Sequence, residues 1–105
     1  MELRFSGEIW YWRGPSPFYF VTVPEAQCRD LREVAAALSY GWGCLPVTVT
    51  LGDSTWQTSM FPKDGGYIVP LKAKVRRAED VDDGMMVDLS LALDAVPASA
   101  QRRRA

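Results

Sequence analysis

From Glu2 to Trp12 the chain alternates between apolar and polar residues. Leu3, Phe5, Ile9 and Tyr11 share one face, with Gly7 in the same register, and Glu2, Arg4, Ser6 and Glu8 take the other. Period two with one polar face predicts a half-buried strand. Trp10 and Trp12 interrupt the polar face, so that end of the strand is either covered or exposed for a purpose. Gly14, Pro15 and Pro17 punctuate a turn, and Phe18 to Val23 is an aromatic and β-branched run that predicts a second strand. The two form a hairpin with a loop of about five residues.

After Pro24 the period changes. Cys28, Leu31, Val34, Ala35 and Leu38 recur at helical spacing while Arg29, Asp30, Arg32 and Glu33 face outward, predicting a helix over about residues 25–39. Pro24 suits its first turn, Glu25 its positive end, and Gly41 and Gly43 its stop. Leu45, Val47, Val49 and Leu51 alternate in a third strand, where Pro46 suggests an edge or a strand start. Thr55 to Phe61 gives a fourth, with Trp56, Thr58 and Met60 on one side and Trp56 in the core. Tyr67 to Leu71 is a short fifth, after a turn at Pro62–Gly66. A short helix follows over about residues 72–79, with Leu71, Val75 and Ala78 inward. Met85, Val87, Leu89, Leu91 and Leu93 alternate in a final strand. Six short strands in so short a chain favour a mainly β fold, a closed or nearly closed six-stranded barrel with one helix packed on it, because closure removes exposed edges. The barrel domain is expected to span residues 1–96, with a flexible basic tail at 97–105.

The run GWGCLPVTVTLGDSTWQTSMFPKDGGYIVPLKAKVRRAEDVDDG resembles the family catalogued as domain of unknown function 1905. The shared features are a glycine-flanked lead into an apolar strand, a Thr-Ser strand end, a proline turn and a tyrosine strand. The basic LKAKVRRA helix and a glycine turn before the last strand complete the set. The aromatic strand and the Val23–Pro24 helix start also match, so the resemblance covers about residues 3–93. It implies a small closed barrel with one packed helix and no assigned activity. Family members often carry Gly-Asp before the last strand, where this chain has Gly84–Met85.

Composition narrows the chemistry. The apolar fraction is 48% and the charged fraction 24%, both ordinary for a globular domain. Net charge is -1, and Arg102, Arg103 and Arg104 lie in the tail, so the body is more acidic than the whole. Nucleic acid is therefore an unfavoured partner. No run of apolar residues is long enough for a transmembrane helix, and the first residues lack a signal layout, so a cytoplasmic protein without membrane contact is expected. There is no histidine, and Cys28 and Cys44 alone cannot complete a usual zinc cage. Both are expected as reduced thiols, with no metal and no cofactor.

Candidate site residues remain. Lys72 and Arg76 sit at helical spacing beside Lys74 and Arg77, a cluster that would hold a phosphate or an acidic partner if it were not a solvated face. Trp42, between two glycines, is the indole best placed for exposure and stacking. Thr58, Ser59, Lys63 and Tyr67 would gather hydroxyls and an ammonium at one hairpin end. No nucleophile elbow or oxyanion-hole motif accompanies them, so no catalytic residue is assigned. The sequence points to a non-catalytic binding or interaction domain for an unknown small molecule or protein, its oligomeric state open. A single-stranded nucleic-acid barrel and an enzyme using Ser/Lys/Tyr chemistry are the alternatives.

Overall fold

Every second side chain of each strand turns inward, and the inward rows meet in one core. The computed structural model describes residues 2–15, 17–38 and 43–93. Among them six strands and two helices run in the order β1 (Glu2–Trp12), β2 (Phe18–Thr22), α1 (Glu25–Leu38), β3 (Leu45–Leu51), β4 (Ser54–Lys63), β5 (Gly66–Leu71), α2 (Ala73–Glu79) and β6 (Met86–Ala92). All pairings are antiparallel, and the strands close into a barrel in the order β1-β2-β5-β4-β3-β6. This is the closed six-stranded architecture that the alternation predicts.

Two long strands make the corners. β1 pairs with β6 from Glu2 to Glu8, then with β2 from Ile9 to Trp12. β4 pairs with β3 from Ser54 to Met60, then with β5 from Phe61 to Lys63. The barrel thus consists of two arcs joined along β1 and β4. Gly7 sits at the first corner, where a Cβ would come within 2.6 Å of Val21 Cγ1. Only a residue without a side chain lets β1 press this closely on β2. The β4–β5 turn carries Asp64 and Gly65 at φ 52° and 82°. Two positive φ values are what a tight type I′ hairpin requires, and Asp-Gly is a preferred pair for it.

The core unites inward residues of all six strands with Cys28 and Leu31 of α1 and Val75 of α2. Ile9, Val21, Leu45, Val49, Met60, Val69 and Leu71 are fully buried, and Trp56 is buried as expected. α1 packs on β3 and β5, α2 against β4. The Pro24 carbonyl accepts the Gln27 and Cys28 N–H groups at 3.1 and 3.0 Å, so Pro24 opens the first turn of α1. Cys28 and Cys44 are both buried and unbridged.

Three details correct the sequence reading. Tyr11 keeps the inward register but lies at the barrel mouth, so it is partly exposed and stacks on Tyr19 with ring centroids 4.9 Å apart. Met85 precedes β6 and is exposed; its carbonyl accepts the Ile9 N–H at 2.9 Å. Ala78 is exposed, because α2 turns only Val75 into the core. Pro46 stands at the start of β3, the second of the two positions expected for it. β6 joins β3 only from Thr48 to Thr50, so Pro46 lies before that ladder begins and removes no bond from it. The tail at 97–105, with Arg102–Arg104, lies outside the described residues.

Candidate functional site

The outward faces of the two arcs differ. On the arc of β1, β6, β3 and the first half of β4 the outward residues include Arg4, Ser6, Asp88, Ser90, Thr50 and Gln57, with Met86 and Pro46 the exposed apolar exceptions. Ser6 donates to the Asp88 carboxylate, and the Thr50 and Thr55 hydroxyls lie 3.1 Å apart. On the arc of β1, β2, β5 and the end of β4 the outward residues are Trp10, Trp12, Phe18, Phe20, Ile68, Pro70 and Phe61, with Thr22 and Lys63 the polar exceptions. Rings outside a barrel have no core to fill, so they must cover one another or remain open.

They do both. Phe20 is 5% exposed and Ile68 7%, and these form a floor. Trp12 at 48% and Phe61 at 41% stand as walls. Trp10 closes one side, its ring centroid 5.3 Å from that of Phe20; Trp12 and Phe18 lie 6.2 and 5.7 Å from the same ring. Pro62 and Lys63 complete a cleft of about 430 Å³. That volume lies within the usual range for small-molecule sites.

The walls are held in place. Trp10 Nε1 donates to Thr22 Oγ1 at 2.9 Å, which fixes the indole. Trp12 lies flat over Gly14, where a Cβ would come within 2.6 Å of the ring. Lys63 stands at the rim with its ammonium 3.3 Å from Asp64. Both groups are well exposed, and such a surface pair contributes little, so the ammonium can turn to a ligand. The neighbouring hairpin is tied to α1 by an Arg32 guanidinium N–H that donates to the Gly65 carbonyl at 2.9 Å. Arg32 also pairs with Glu25.

The sequence-derived candidates do not meet in one place. Lys63 lines the aromatic cleft. Thr58 and Ser59 line a groove of about 480 Å³ on the opposite arc, with Pro46, Thr48 and Gln57 and no ionisable side chain. Tyr67 is buried in the core. Lys72 lines a third cavity beneath α2. Arg76 turns away from Lys72: its guanidinium carbon lies 3.6 Å from the Tyr19 ring centroid, and Nη1 lies 3.8 Å from Asp82. Arg77 is exposed beside it. Trp42 lies outside the described residues. Among the described residues no His, Cys, Asp or Glu group is gathered to hold a metal ion, and no helix is long and apolar enough to cross a membrane.

Sequence reasoning noticed Trp10 and Trp12 but did not place them in a site. The signal was there: two indoles on the polar side of an alternating strand, opposite a second strand with Phe at alternate positions. What the sequence lacked was the pairing that sets Phe61 and Ile68 beside them. The chain belongs to the family described as Domain of unknown function (DUF1905), whose model matches residues 5–91. No curated protein matches the chain.

Proposed function

We propose that this family member is a non-catalytic binding module, and that its aromatic cleft takes a flat apolar ligand carrying an anionic group. One observation carries the reading: two half-exposed rings, Trp12 and Phe61, line one cleft over a buried floor of Phe20 and Ile68, with a single ammonium, that of Lys63, in the same lining. Rings of this kind stack on a planar ligand, and a lone cation selects an acid without demanding a polyanion. A catalytic reading needs at least two of Ser59, Lys63, Tyr67 and Lys72 within hydrogen-bond reach of one substrate. Their distribution over separate cavities and the core supports binding instead. Two free buried thiols support a reducing compartment such as the cytoplasm.

Calorimetric titration of the full chain with 2-naphthoate and with neutral 2-naphthol tests this. Naphthoate should bind saturably, with Trp12→Ala weakening it about ten-fold, the equivalent of about 1.4 kcal/mol. Lys63→Gln should weaken naphthoate and leave naphthol unchanged. Absence of saturation, or equal binding by Trp12→Ala, would refute the cleft. Tight capture of oligodeoxythymidylate with a steep salt dependence would instead favour a nucleic-acid barrel.

A further inference from the structure

The aromatic cleft does not end at Lys63. A smaller cavity of about 200 Å³ borders it on the side of α1 and shares Lys63 and Ile68 with it. We propose that the two together take an aromatic α-amino acid, its ring in the cleft and its carboxylate and ammonium at the Lys63–Asp64 pair. This rests on the binding reading above and names the ligand class for that site.

Strand pairing makes the two cavities neighbours. Ile68 lies opposite Phe61 on one side and opposite Thr22 on the other. Phe61 lines the cleft, Thr22 the smaller cavity, and Ile68 both. The chemistry changes across this row. The cleft offers rings, Pro62 and Ile68 with one ammonium. The smaller cavity adds two carboxylates, Glu25 and Asp64, to that same ammonium. Glu25 is already committed, because it pairs with Arg32, which also donates to the Gly65 carbonyl. Asp64 has Lys63 as its ion-pair partner among the described residues, at 3.3 Å, and its side chain is 85% exposed.

These two adjacent charges decide between ligand classes. A bare carboxylate that takes the Lys63 ammonium comes up against the Asp64 carboxylate and is repelled by it. A bare amine at Asp64 meets the reverse conflict with Lys63. An α-amino acid carries both charges on one carbon, so it matches the pair: its carboxylate accepts from Lys63 and its ammonium donates to Asp64. Opening the original pair costs little, because both of its members face solvent. The ring supplies the anchor, against Trp12 and Phe61. The hairpin that bears the pair is held at the φ values of Asp64 and Gly65 and tied to α1 by Arg32. Asparagine adopts the same left-handed backbone as Asp64, so Asp64→Asn removes the charge and keeps the turn.

Calorimetric titration of the full chain compares L-tryptophan with indole-3-propionate, which lacks the ammonium, and with tryptamine, which lacks the carboxylate. L-tryptophan should bind about five-fold more tightly than either, the upper range for one exposed ion pair. Asp64→Asn should abolish its lead over indole-3-propionate, while that acid keeps its affinity or gains. In ¹⁵N spectra L-tryptophan should shift the indole N–H resonance of Trp12, identified by its loss in Trp12→Phe. The proposal is overturned if L-tryptophan binds no more tightly than indole-3-propionate, or if Asp64→Asn leaves its lead intact. With indole-3-propionate still bound, either result removes the amino-acid class and leaves the cleft standing. Failure of the cleft itself looks different: none of the three compounds binds, and the amino-acid proposal falls with it.

Discussion

The two arcs of this barrel share the same strands yet present opposite surfaces. Along β1 the outward residues are Glu2, Arg4, Ser6 and Glu8 while the strand runs beside β6. They become Trp10 and Trp12 once it runs beside β2. β4 does the same: Thr55, Gln57 and Ser59 beside β3, then Phe61 beside β5. Polarity follows the neighbouring strand rather than the strand itself. A patch that changes at both corners, at the points where pairing changes, belongs to the surface of one arc. Scattered apolar residues on a protein surface need no explanation, whereas a bounded set that surrounds a cleft does.

The contrast can be broken most severely at Phe20. It faces outward, as Ser90 does on the other arc, but it is covered by Trp10, Trp12 and Phe18. Phe20→Ala should destabilise the fold by about 3–5 kcal/mol in urea denaturation. Ser90→Ala should stay within about 0.5 kcal/mol. Equal effects would mean that the aromatic layer is not packed. Next is the corner that separates the arcs. Gly7→Ala pushes a methyl against Val21 and should cost about 1–3 kcal/mol in the same assay. A smaller effect follows from Thr22→Val, which removes the acceptor of the Trp10 indole; the loss should be about 1 kcal/mol, with a broadened Trp10 N–H resonance. Smallest in stability is Gly14→Ala, at under about 1 kcal/mol, because Trp12 is half exposed and can lift. Its effect should appear in naphthoate affinity instead, which separates a wall of the cleft from a support of the fold.

Much of the fold was legible because the alternation in β1, β3 and β6 is regular and the period changes cleanly at Pro24. Errors gathered where an element ends. Tyr11, Met85 and Ala78 continue an apolar pattern one step past the point where a neighbour exists to bury them. The site was harder to read, because it is made by pairing. Trp10 meets Phe20 and Phe61 meets Ile68 within local hairpins, but the two hairpins are joined only by the β2–β5 pairing, which sets Phe20 beside Pro70 from far along the chain. Lys63 could be named from sequence as a cation on a hairpin, but its ring partners could not. Lys72 and Arg76 show the reverse problem. Helical spacing suggests one site, yet Arg76 is drawn to Tyr19 and Asp82 while Lys72 stays with the β3–β4 turn.

The indole N–H resonances of the ¹⁵N-labelled full chain during a 2-naphthoate titration give the most direct test of the cleft. Saturable shifts of Trp10 and Trp12, with Trp56 unmoved, are the predicted result. Shifts confined to Trp56, or no shift at Trp12 at saturating naphthoate, would contradict a binding site on the aromatic arc.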